Sequence, residues 1–126
     1  MAYAVGVCVI LLMPTASLAI WVVGNTSDVL EALGVPAVIS EPSRVEFLLN
    51  ILMFTPITFI GAWHWHQVRW TEWVAYTFLA SVSFELVQAI ALPGRTAQHA
   101  DVVANTAGGL LGAVACLAYF RLMARR

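Results

Sequence analysis

The residues of this chain best equipped for chemistry are acids and amides set at helical spacing inside apolar sequence. Glu46 and Asn50 stand at i and i+4, Glu85 and Gln88 at i and i+3, and Asp101 and Asn105 again at i and i+4. Each pair therefore shares a helix face. Arg44 precedes the first pair, and Arg95 and His99 lie between the second and third. Such a set suits the polar head of an amphiphile. Arginine forks would take phosphate or another anion, while the acids and amides orient them and bind hydroxyl or amide groups. Glu46, Glu85 and Asp101 are also the candidates for a catalytic role, as acid and base or around a divalent metal. No nucleophile elbow, zinc motif or phosphate-cradling loop accompanies them, and neither a cofactor nor a resident metal is expected.

The elements that must position these residues are membrane spans. The chain has 126 residues, 61% hydrophobic and 10% charged, with no lysine, too little charge for the surface of a soluble domain. A span needs roughly 20 mainly apolar residues. Four stretches qualify, at about 3–23, 45–63, 73–92 and 102–120. The expected fold is all-α, a polytopic membrane protein with four transmembrane helices forming one domain over 1–126. Arg69 between the second and third spans, with Arg121, Arg125 and Arg126 after the fourth, puts both termini in the cytoplasm by the positive-inside tendency. The protein is thus expected in the cell membrane as a multi-pass chain. Trp63, Trp65, Trp70, Trp73 and Tyr76 form an inner aromatic belt, with Trp21 near the outer face. The few scattered basic residues exclude a nucleic-acid footprint.

With this topology every acid–amide pair falls in the outer third of the membrane. A charged residue at a span's centre costs roughly 2.5–3.5 kcal/mol on insertion scales, and less near the interface. Several such residues on separate helices are expected to converge on one outward-facing polar cleft, with Arg44 and Arg95 at its rim. The bland alternative is a set of inter-helix hydrogen bonds and ion pairs that fixes packing.

Other features fall to packing. Pro56 should kink the second span, with Thr55 and Thr58 satisfying freed carbonyls. Gly108 and Gly112 allow a close helix approach that Gly109 widens. Residues 24–43 read as a long outer connection, with a short interfacial helix around 28–33. The first span has no Lys or Arg before it, against its being a cleaved signal peptide. His64 and His66 find no convincing third metal ligand except Glu72 and read as interfacial residues. Cys8 and Cys116 read as small buried apolar residues. Asn25-Thr26-Ser27 is a glycosylation acceptor by pattern alone.

The ordered set Arg44-Val45-Glu46, Asn50, Phe54, Pro56, Glu85-x-x-Gln88, Arg95 and Asp101-x-x-x-Asn105-x-x-Gly108 with Gly112, over about 44–112, closely resembles the VanZ-like family. That family takes its name from a membrane protein associated with resistance to the glycopeptide antibiotic teicoplanin. The resemblance implies a cell-envelope protein and names the same residues as the cost argument, but it implies no reaction.

The leading expectation is a cleft binding a lipid headgroup, a lipid-linked wall precursor or a lipophilic glycopeptide. Its ligand-binding residues would be Arg44, Glu46, Asn50, Glu85, Gln88, Arg95, Asp101 and Asn105. The second is an intramembrane hydrolase or transferase of a lipid-linked substrate. A third, ion or proton transport, is set aside because polar groups look absent from the inner half. A structural subunit, with a membrane-protein partner or as a homo-oligomer packing through Gly108 and Gly112, stays open.

Overall fold

The computed structural model describes residues 17–91 and 98–125. They form five helices: α1 (Ser17–Ala32), α2 (Ala37–Ser40), α3 (Pro42–His64), α4 (Trp70–Ala91) and α5 (His99–Met123). Three of them, Pro42–His64, Trp70–Ile90 and His99–Met123, are long and apolar enough to cross a membrane. Of the expected first span, 3–16 lies outside the described residues and the remainder belongs to α1.

α1 departs from expectation, because residues 24–32 are helical rather than loop. The polar residues that suggested a loop are absorbed by the helix itself. Asn25 Nδ2 donates to the Trp21 carbonyl at 2.8 Å and Thr26 Oγ1 to the Val22 carbonyl at 2.7 Å. The true stop is Gly34, at φ 77°. The Gly34 N–H donates to the Glu31 carbonyl and the Val35 N–H to the Leu30 carbonyl, a Schellman close that needs a left-handed residue, and Pro36 follows. α3 then begins with Pro42 at its first position, where the missing N–H costs nothing.

α3 runs as one helix through Pro56. The expected carbonyl rescue differs in detail. Thr55 Oγ1 donates to the Ile51 carbonyl at 2.8 Å, one residue before the carbonyl that Pro56 leaves unbonded, and Thr58 bonds elsewhere. α4 is capped by Glu72, whose Oε2 accepts the Arg69 backbone N–H at 2.9 Å while Oε1 pairs with the Arg69 guanidinium at 3.2 Å. That is half of a capping box, so packing of the helix start accounts for Glu72.

α5 lies between α3 and α4, which touch each other little, and α1 packs on α3. Glycines permit this. A Cβ on Gly108 would stand 2.5 Å from the Ile51 carbonyl oxygen, and one on Gly112 would strike the Thr55 carbonyl oxygen, so α5 meets α3 backbone to backbone. Gly109 does not widen that groove. It faces the other way, where its Cβ would meet Thr77 Oγ1 at 2.5 Å, and so serves α4.

Burial is inverted relative to a water-soluble protein. Among the described residues the buried apolar set is small: Val45, Phe54, Ala62, Ala104, Ala113 and Cys116. On α4 the buried side chains are Thr77, Ser81, Glu85 and Gln88, while Leu79, Leu86 and Ile90 face outward, Ile90 at 77% exposure. A surface this apolar is stable only against hydrocarbon, where polar groups turn inward.

Candidate functional site

The two ends of the bundle differ in chemistry. At the end where α3 and α5 begin and α4 finishes, the cross-helix contacts are polar. At the other end they are aromatic: Trp63 stacks on Tyr119 with ring centroids 4.7 Å apart and meets Phe120 at 5.6 Å, while Trp65 approaches Trp73 at 6.3 Å.

The polar end is built on the start of α5. Gln98 is its N-cap but makes no side-chain cap. Its backbone N–H donates instead to Oε2 of Glu85, on α4, at 2.6 Å. A carboxylate buried in apolar surroundings is costly, and a helix N-terminus is a place that lowers the cost through unsatisfied N–H groups and the positive end of the macrodipole. Asp101, in the first turn of α5, lies in the same field and accepts Asn50 Nδ2 from α3 at 2.9 Å. One turn deeper, Asn105 Nδ2 donates to Ser81 Oγ of α4 at 2.9 Å. Asn105 is 2% exposed, and its Oδ1 is a buried acceptor with no hydrogen-bond partner among the described residues.

Thus Asn50, Glu85, Asp101 and Asn105 are joined into the contacts of three helices. Glu46 is half-buried one turn before Asn50, and Gln88 is buried on the face of α4 that carries Glu85. Arg95 lies outside the described residues. Arg44 is not drawn into this group. It is exposed, paired with Glu41 at 3.6 Å, and lines a groove of about 420 Å³ with Ile39, Ser43, Phe47 and Leu48. Glu46 projects about 200° around α3 from it. His99 begins α5 and is exposed.

The polar residues are also less open than a cleft would have them. Glu85, Gln88 and Asn105 are each under a tenth exposed, whereas Glu46, Asn50 and Asp101 are half-buried. Ligand contact is therefore available at the latter three, with the former behind them.

Two residues of the polar track, Ser81 and Thr77, carried no mark in the sequence, and Thr58 was expected only to satisfy a carbonyl freed by Pro56. The Thr77 hydroxyl gives its proton to the Trp73 carbonyl at 2.8 Å, so in the 3.4 Å contact with Thr58 the donor is Thr58. This contact lies in the half of the bundle nearer the aromatic end, which corrects the expectation that polar groups stop short of it. The available signal was the spacing of Thr77, Ser81 and Glu85 at successive i+4 steps. Among the described residues no group of three or more His, Cys, Asp or Glu is placed to hold a metal ion.

Three apolar helices around a buried polar seam define a multi-pass membrane protein, with its hydrogen-bonding residues gathered toward one end. A family model described as VanZ/LLP1 matches residues 2–122, and the chain belongs to that family. No curated protein and no solved structure matches the chain.

Proposed function

We propose that this VanZ/LLP1 protein recognises the hydrogen-bonding head of an envelope amphiphile at the polar end of its bundle. The ligand class is a lipid headgroup, a lipid-linked wall precursor or a lipophilic glycopeptide, and through the last of these it would contribute to antibiotic resistance. In this reading the termini are cytoplasmic and the polar end faces outward. Glu46, Asn50 and Asp101 contact the ligand, Glu85, Gln88 and Asn105 hold them in place, and Arg95 takes an anionic group. Arg44 stands apart at the groove beside Phe47 and Leu48, where an apolar tail with an anionic end would fit.

The observation that carries this reading is that Glu46, Asn50 and Asp101 come only half-buried to the polar end of an otherwise apolar bundle, with Asn50 and Asp101 joined across α3 and α5. A head rich in hydroxyls or N–H groups, as sugars and peptides are, offers donors to these carboxylate and amide oxygens.

The test is retention of a headgroup panel by the purified protein in lipid nanodiscs, comparing wild type with Asn50→Ala. Headgroup-selective retention, weakened at least several-fold by the substitution, supports the proposal. Equal retention of all headgroups contradicts it. Turnover of a lipid-linked substrate that Glu85→Gln abolishes would replace it with the hydrolase or transferase reading.

A further inference from the structure

A second polar–apolar junction lies at the opposite end of the molecule. On α5, Val114, Leu117, Ala118 and Leu122 form a groove of about 290 Å³ with Arg121 and Arg125. Both arginines are exposed, and among the described residues neither is ion-paired. Both line the same groove, Arg121 from the last turn of the helix and Arg125 from just beyond it. Depth follows from the neighbouring rings. Trp63, Tyr119 and Phe120 cluster immediately before Arg121, and such aromatic groups settle at the membrane–water interface. Arg121 and Arg125 then stand at headgroup level, while Val114, seven residues earlier, lies about 10 Å further into the hydrocarbon.

An arginine in the last turn of a helix complements the macrodipole, and that alone would account for Arg121. It does not account for Arg125, which follows the helix end at Met123, nor for an apolar channel leading away from both. We propose that this face binds an anionic glycerophospholipid, its phosphate held between Arg121 and Arg125 and one acyl chain lying along Val114, Ala118 and Leu122. Charge complementarity selects the occupant: both lipid classes bring one phosphate charge, but a zwitterionic head adds an ammonium group that the two guanidinium groups repel. This site is independent of the polar end and of which way the chain faces.

The experiment is native mass spectrometry of the full chain released from nanodiscs of equal phosphatidylglycerol and phosphatidylcholine. Wild type should retain phosphatidylglycerol preferentially by roughly thirtyfold, the surface-charge scale for two arginines. The double variant Arg121→Gln/Arg125→Gln should lose the preference, and Arg121→Lys/Arg125→Lys should keep most of it. Ala118→Trp, which fills an exposed groove without touching charge, should lower retention of the lipid. Equal retention of both lipids by wild type, or an undiminished preference in the glutamine variant, overturns the proposal. So does a change from dimer to monomer on Ala118→Trp with no change in lipid retention, which would make this face an interface between copies.

Discussion

Glu85 and Asp101 owe their places in apolar sequence to the beginning of α5. Glu85 accepts the N-cap N–H of Gln98, and Asp101 ties the same turn to Asn50 of α3. Toward the cap N–H, Glu85→Gln retains a carbonyl acceptor and forfeits the charge, so a loss of about 0.3–1 kcal/mol is expected from the cap. Glu85→Leu removes the acceptor as well, and the loss should rise to roughly 1–3 kcal/mol. Thermal unfolding in detergent checks the order, and equal losses would remove the cap from the explanation. For Asn50 and Asp101, a double-mutant cycle with alanine should give a coupling of about 0.6 kcal/mol, with about 1.7 as the upper end for membrane hydrogen bonds. The acids and amides were legible in the sequence because intramembrane polarity is costly and stands out. Ser81 and Thr77 were not, and Thr58 stood out only for its place beside Pro56. A hydroxyl can always bond the carbonyl one turn back, as Thr77, Ser83 and Thr106 do here, so hydroxyls on lipid and core faces look alike. Ser81 is fully buried and Ser83 exposed, a difference set only by the face shared with Glu85.

At the scale of the element, glycine decides how closely α5 is approached. Gly108→Ala and Gly112→Ala place a methyl against carbonyl oxygens of α3, which side-chain motion cannot relieve. Each should cost about 1–3 kcal/mol by overpacking. Among the described residues, nothing lies within 4 Å of the Cβ that Gly24, in α1, would gain. Gly24→Ala should therefore stabilise, by about 0.5–1 kcal/mol. Melting temperatures of the three variants report the opposite signs directly, and a destabilising Gly24→Ala would contradict the open environment around α1. Three of the expected spans correspond to helices, since a run of apolar residues is a strong signal. The error at α1 has a local cause. Asn25, Thr26 and Ser27 resemble turn residues, yet helical i−4 bonds absorb the first two, and the real terminator, Gly34 with Pro36, lies further on. Gly109 was misassigned because periodicity does not say which of two neighbours a central helix shows to each glycine.

At the scale of the whole molecule, the described helices turn many large apolar side chains outward and bury hydroxyl, amide and carboxylate groups between them, with a polar end and an aromatic end. The composition revealed the membrane, and the two-residue spacing already set Arg44 on another face of α3 from Glu46; its pairing with Glu41 and the groove beside Ile39 were not legible, because they depend on where α2 packs. The two proposed places for amphiphiles lie at opposite ends, so their effects on lipid binding should be separable by substitution. The most direct test of headgroup recognition is photocrosslinking in nanodiscs with a lipid-linked wall precursor that carries a diazirine on its head, in the Arg121→Gln/Arg125→Gln background. Adducts at Glu46, Asn50 or Asp101, suppressed by unlabelled precursor, are the expected result. Adducts confined to outward residues such as Leu86 and Ile90, or undiminished by competitor, would contradict it.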